Sequence, residues 1–218
     1  MAKVKKALTA IGKAGLKTVA DLDPVSSFFK NVYEEYTSFS AKERAEKVAK
    51  TFEDRLEKLE KEIGKQKIVE TPNLASLFAN AQNGALTDIE EDKIGLYANA
   101  FINAIKNEKM EDTKKHIFLN MLREFSLAHL KILHLFYDNP STERFMTIHV
   151  ISNHIKIYEE NNEDLIHSLV SDIIKKGLLI EHPCGFVDGI SYSINKPSSS
   201  NLGQEFLSFI SEQEEING

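Results

Sequence analysis

The chain has 218 residues, of which 42% are hydrophobic and 28% charged, and its formal net charge is −6. This composition is typical of a soluble globular protein with one large or two small domains and a sizeable core. The single cysteine, Cys184, excludes an internal disulfide framework. No apolar run approaches the roughly 18 residues that a membrane-spanning helix needs, and no secretory signal is recognisable, so a cytoplasmic protein is expected.

The first predicted element, residues 1–22, is a basic amphipathic segment. Residues 1–20 carry five lysines and no acid, whereas residues 121–218 carry 7 basic and 14 acidic residues. On a helix the apolar residues form a thin stripe, as in peptides that lie on membrane surfaces. We expect either a solubilising terminus that packs on its own body, or a peripheral contact with an anionic membrane or another polyanion through Lys3, Lys5, Lys6, Lys13 and Lys17.

Residues 23–122 predict a helical, bundle-like region. A long helix ending at Gly64 has a narrow apolar seam with three- and four-residue spacing, formed by Ala45, Val48, Phe52, Leu56, Leu59 and Ile63. Such a seam packs on a neighbouring helix or forms a homo-oligomer, and the pattern does not choose between them.

Three further helices are predicted in this region from their start and stop residues. Thr71 and Pro72 open the first, and Gly84 follows its end. Thr87 or Asp88 starts the second, and Asp112 or Thr113 starts the third.

Residues 123–218 predict helices followed by a small β-hairpin. Ser126 caps a helix over 127–137, and a short helix lies within 148–158. The next helix starts at Glu163 and ends at Gly177, and its predicted buried face comprises Leu165, Ile166, Leu169, Val170, Ile173 and Ile174. A strand over 178–180, a return strand over 190–194, a loop over 196–200 and a helix over 202–210 complete the chain.

This order of elements, with Lys-Lys-Gly-Leu-Leu-Ile at 175–180 and Leu-Gly-Gln-Glu-Phe-Leu-Ser-Phe-Ile at 202–210, resembles a winged-helix (helix-turn-helix-like) domain over about residues 123–211. The whole layout is loosely similar to uncharacterised bacterial proteins that place a basic helix and a helical region before such a domain. The resemblance implies a mainly α fold in which the hairpin is the wing. It also implies that the third helix is the recognition helix, with a surface formed by Asp164, His167, Ser168, Ser171 and Lys175.

The charge of this predicted recognition helix does not favour DNA. Residues 159–176 contain five acids and two lysines, and residues 182–195 contain no Lys or Arg. Because DNA affinity depends mainly on cations that neutralise phosphates, the pattern favours a regulatory or protein-interaction module with an unidentified protein partner. A DNA-binding transcriptional regulator and a membrane-acting effector remain the alternatives.

Enzymatic chemistry is not indicated by any motif. The chain lacks a phosphate-binding loop, a dinucleotide fingerprint, H-E-x-x-H and G-x-S-x-G. Asp164, His167 and Ser171 share one helix face, but a serine there lacks a strained turn and oxyanion donors. His182 and Cys184 supply only two potential zinc ligands, fewer than a site needs. We therefore expect no catalytic residues, no metal and no cofactor.

Overall fold

The computed structural model describes residues 39–138, 145–155, 163–180, 193–195 and 198–212. These residues are mainly helical, as the sequence predicts. Among them, 39–123 and 210–212 belong to one compact unit, here called unit 1, and the rest form unit 2. The sequence prediction placed the boundary between residues 122 and 123 and assigned residues 210–212 to the second part.

Unit 1 is built from five helices and a short 3-10 turn. The helices are α1 (Phe39–Ile63), α2 (Lys65–Val69), α3 (Leu74–Thr87), α4 (Ile94–Lys106) and α5 (Asp112–Glu124). The last residue of α5 belongs to unit 2. The 3-10 turn is Glu91–Lys93. Gly64, at φ +82°, separates α1 from α2 in a conformation that glycine adopts without strain. The short helix α2 was not foreseen in the sequence.

The core of unit 1 lies where α1 packs on α3 and α4. Phe52, Phe78 and Phe101, one from each helix, have ring centroids 5.2–6.0 Å apart. The predicted seam of α1 is buried from Ala45 to Leu59 and faces this core. The apolar seam of α1 therefore packs against α3 and α4 within unit 1.

Two predicted boundaries of α3 are wrong. The helix begins at Leu74, after Asn73 in the left-handed conformation, and it continues through Gly84 to Thr87. A glycine is present inside the helix because the ring of Tyr97 on α4 lies against it, and an added Cβ would overlap that ring. The next helix starts at Ile94, since Asp88 is buried in the connection instead of capping a helix.

Unit 2 contains four further helices and four short strands. They are α6 (Leu127–Asp138), β1 (Phe145–Thr147), α7 (Ile148–Ile155), α8 (Glu163–Lys175), β2 (Leu179–Ile180), β3 (Ser193–Asn195), β4 (Ser198–Ser199) and α9 (Asn201–Ile210), whose last residue belongs to unit 1. β1 pairs with β3, and β2 pairs with β4, both antiparallel.

The β pairing differs from the predicted hairpin. Strand β2 pairs with Ser198 and Ser199, which the sequence analysis assigned to a loop, and β1 was not predicted. Serine has no strong strand preference, so the pairing is set by the surrounding fold and not by these two residues. The core of unit 2 includes Phe125 and Phe206, whose rings meet edge to face at 6.1 Å.

Candidate functional site

The predicted recognition surface is the exposed side of α8. Asp164, His167, Ser168 and Lys175 are exposed and Ser171 is partly exposed, whereas the opposite face is buried through Ile166, Leu169, Val170 and Ile173. Leu165 was predicted to be buried but is 44% exposed. It lies one position outside the apolar stripe, so the exposed side of α8 also presents a large apolar side chain.

The end of α8 is fixed by the predicted glycine. Gly177 has φ +74°, its N–H donates to Ile174 O at 2.8 Å, and the N–H of Leu178 donates to Ile173 O at 3.2 Å. This pair of bonds is the Schellman arrangement, which satisfies the last carbonyl groups of a helix. Leu178 is fully buried, so the chain leaves α8 in a defined direction towards β2.

Both lysines at this end of α8 are paired with carboxylates. Lys175 Nζ donates to Asp172 Oδ1 at 3.1 Å, and Lys176 forms an ion pair with Glu124. Asp172 and Glu124 thus place a negative charge beside each of these two lysines. At the other end, Glu163 and Asp164 lie in the first turn, where the helix dipole favours acids. The surface consequently has an excess of negative charge.

Asp164, His167 and Ser171, whose shared helix face was not expected to be catalytic, lie among the described residues and make no hydrogen bond with one another. A different trio comes together instead. Ser126 Oγ lies 2.8 Å from His129 Nδ1, and His129 Nε2 lies 3.9 Å from Asp172 Oδ2. The imidazole is stacked on Phe125, with ring centroids 5.0 Å apart and an interplanar angle of 10°.

Backbone contacts identify Ser126 and His129 as a helix cap. The N–H of Ser126 donates to His129 Nδ1 at 3.1 Å, and the N–H of His129 approaches Ser126 Oγ at 3.4 Å. These are the two reciprocal bonds of a capping box, in which Glu or Gln normally takes the third position. Ser126 was predicted as the cap from the sequence, whereas His129 was not, although the Ser-x-x-His spacing at the start of an apolar run is visible there.

A neutral polar network in unit 2 joins α6 to the start of α9. The hydroxyl of Tyr137 donates to Ser200 O at 2.5 Å and lies 3.2 Å from Leu178 O. Ser200 Oγ donates to Gly177 O at 2.7 Å and accepts the N–H of Gly203 at 2.9 Å. Gly203 allows this approach, because an added Cβ would overlap both Leu178 O and the Tyr137 hydroxyl.

A charged network occupies the connection between α3 and α4 in unit 1. Lys93 and Asp88 form an ion pair with side chains 1% and 8% exposed. Asp88 also accepts the Tyr97 hydroxyl at 2.9 Å and the N–H of Glu90 at 3.0 Å. Every oxygen of the carboxylate therefore has a partner, as a buried charge requires.

The ionisation of this network follows from its contacts. Burial raises the pKa of Asp88, but the hydrogen bonds from Lys93, Glu90 and Tyr97 and the charge of Lys93 outweigh it, so the pKa lies below its ordinary value. Burial, together with the hydrogen bond to Asp88, raises the pKa of Tyr97 far above its ordinary value. Asp88 is thus held as a carboxylate and Tyr97 as a neutral phenol. The network is structural, because its reactive groups are buried and mutually paired.

Other predicted residues cannot be placed. Lys3, Lys5, Lys6, Lys13 and Lys17 lie outside the described residues, as do His182 and Cys184, so contact with a membrane or polyanion stays a prediction. Within the described ranges, no group of three or more histidine, cysteine, aspartate or glutamate side chains could hold a metal ion. Among the helices that the structure describes, none has the length and apolar character needed to cross a bilayer.

Comparison with known proteins adds no family. No protein-family model matches the chain, and neither the curated proteins nor the solved structures include a match.

Proposed function

We propose that the chain is a non-enzymatic regulatory or protein-interaction module, and that the exposed side of α8 is its contact surface. In this proposal residues 124–209 form a winged-helix-like domain. The order α6, β1, α7, α8, β2 and return strands supports it, as does the antiparallel pairing of β1 with β3. In such a domain α8 occupies the position of the recognition helix.

The observation that carries the proposal is the pairing of both lysines at the end of α8. A DNA-binding helix needs cations directed at phosphates, but Lys175 and Lys176 each have a carboxylate partner. Glu163 and Asp164 add negative charge to the exposed side. This charge pattern repels a phosphate backbone and is complementary to a basic protein surface.

The exposed Leu165 supports a protein partner in particular. Its side chain, 44% exposed, lies between Asp164 and the buried Ile166. Interfaces between proteins combine apolar anchors with a polar rim, whereas phosphate contacts require cations. We therefore propose a partner that offers lysine or arginine around a small apolar recess.

Site-specific photo-crosslinking in living cells tests this function. A photoreactive amino acid replaces Ser168 on the exposed side of α8, and in a matched control it replaces the exposed Glu57 on α1. We expect one discrete protein adduct from position 168 that is absent from position 57. Reversing the charges with Glu163→Lys and Asp164→Lys should remove the adduct, because charge complementarity is lost.

Duplex-DNA binding by the full-length protein is the competing outcome. If the protein binds DNA with a steep salt dependence, and Lys175→Glu with Lys176→Glu abolishes that binding, the DNA-binding regulator replaces our proposal. Equal crosslinking at positions 168 and 57 would also contradict it, because the contact would then not belong to α8.

A further inference from the structure

The cap at the start of α6 contains a histidine in the position that glutamate or glutamine usually takes. In the usual capping box, glutamate or glutamine accepts the backbone N–H of the cap residue. Here His129 Nδ1 accepts the N–H of Ser126 at 3.1 Å. Histidine is the side chain whose charge ordinarily changes between about pH 5 and 8.

The two protonation states of His129 cannot make the same bonds. Nδ1 accepts a hydrogen bond only through its lone pair, and protonation replaces that lone pair with a second N–H. The N–H of Ser126 would then face another N–H and lose its acceptor, while the Ser126 hydroxyl, 2.8 Å from Nδ1, can accept the new N–H. On the opposite side of the ring, Nε2 lies 3.9 Å from Asp172 Oδ2, a carboxylate that attracts a charged imidazolium.

Packing limits how the ring can respond. The imidazole is stacked on Phe125, and its side chain is only 12% exposed. A movement within this stacking plane that shortens the 3.9 Å separation between Nε2 and Asp172 Oδ2 would keep the contact with Phe125. Asp172 is also bound by Lys175 at 3.1 Å, so the imidazolium and the lysine would share one carboxylate.

Other charged or titratable groups lie on the elements of unit 2 that surround α6. Lys176 is paired with Glu124 at the end of α5. The remaining groups of this kind on α6, α7, α8 and α9 are Lys131, His134, Tyr137, Asp138, His149, His154, Glu163, Asp164, His167 and Glu205. His129 lies within ion-pair distance of Asp172.

We infer that the start of α6 is a proton-sensitive switch: neutral His129 closes the cap on Ser126, and protonated His129 opens it and pairs with Asp172. The closed cap requires the neutral ring. A decrease in pH through the range in which histidine is ordinarily protonated therefore weakens the first turn of α6. The change also reaches α8, because the carboxylate that receives the imidazolium is the one that holds Lys175. This inference does not depend on the identity of the partner proposed for α8.

Residue-resolved amide hydrogen exchange on the full-length protein tests the switch. After correction for the intrinsic pH dependence of exchange, we expect the Ser126 amide to lose about fivefold in protection between pH 7.5 and pH 5.5, the factor that one capping bond provides. The matched variant is His129→Gln, which keeps an uncharged acceptor in the capping box. Its Ser126 protection should stay constant over the same range.

Nitrogen NMR of His129 in the unaltered protein provides a second readout that needs no variant. We expect an unprotonated Nδ1 at pH 7.5 and a doubly protonated ring at pH 5.5, with the change tracking the loss of Ser126 protection. In Asp172→Asn the change should move to lower pH. Equal loss of protection in the unaltered protein and His129→Gln, or a protonated Nδ1 at pH 7.5, would overturn the inference.

Discussion

The two units share a packing arrangement but differ in the polar groups that surround it. In each, a tyrosine lies against a glycine of another helix: Tyr97 against Gly84 in unit 1, and Tyr137 against Gly203 in unit 2. The hydroxyl of Tyr97 binds a buried carboxylate that is paired with Lys93, whereas that of Tyr137 binds a backbone carbonyl.

This difference determines which substitutions should destabilise each unit most. A buried ion pair depends on both partners, because removal of one leaves a charge without compensation in a medium of low polarity. A neutral network loses only the hydrogen bonds that are removed. Unit 1 should therefore respond strongly when one charge of its buried pair is removed, whereas the tyrosine network of unit 2 should respond mainly to changes of shape.

The largest effect is expected from Lys93→Met. The variant leaves the Asp88 carboxylate buried without its cation, and we expect a loss of about 3–5 kcal/mol in the free energy of unfolding. Urea unfolding, with hydrogen exchange to assign the loss to unit 1, measures it. Lys47→Met is the matched control, because Lys47 is exposed and its pair with Glu91 is a surface contact; its stability should hardly change. Similar losses in both variants would contradict the special cost of the buried pair.

A smaller effect is expected from adding one methyl group at the glycines. Gly84→Ala forces the Tyr97 ring aside, and Gly203→Ala pushes against the Leu178 backbone, so each should lose about 1–3 kcal/mol in its own unit. The backbone cannot move as readily as a ring, so Gly203→Ala should be the more damaging. Gly95→Ala on α4 is the control: nothing lies within 4 Å of its added Cβ, and alanine should stabilise the helix by about 0.5–1 kcal/mol. Neutral behaviour of Gly84→Ala would show that the contact with Tyr97 is loose.

The smallest and most selective effect is the acid response of unit 1. The pKa of Asp88 is lowered in the folded state. The contribution of Asp88 to the stability of unit 1 is therefore complete above its ordinary pKa of 3.8, and it is lost as the pH falls through the pKa of the folded state. Unit 1 should lose stability on acidification below about pH 4, with a shallower slope in Asp88→Asn. Asp92→Asn, an exposed acid in the same connection, is the control. Unfolding at a series of pH values that gives parallel curves for Asp88→Asn and the unaltered protein would count against this account.

The sequence predicted the elements whose signals are local. The apolar seam of α1 and the left-handed Gly177 were both readable, because periodicity and helix termination depend on near neighbours. The boundary at Gly84 was wrong for the opposite reason. Glycine marks a helix end in isolation, and only the position of Tyr97, 13 residues later in the sequence, shows why it lies inside α3.

The surface and the polar networks were predicted only in part. Sequence spacing identified the exposed residues of α8 but assigned Leu165 to the buried face, since neighbouring positions on a helix differ by only 100° or so. The pairing of Lys176 with Glu124 joins residues distant in sequence, and no pattern of spacing reveals it. The role of His129 combined a visible local motif with a non-local partner, Asp172.

The hydrogen bond between Tyr97 and Asp88 also affects the fluorescence of unit 1. The chain has six tyrosines and no tryptophan, so tyrosine dominates its near-ultraviolet emission. A phenol that donates to a carboxylate emits weakly, because the excited ring passes its proton to that acceptor. The fluorescence of Tyr97 should therefore be weak while unit 1 is folded and should increase when the hydrogen bond to Asp88 breaks. This change reports on unit 1 without any added label.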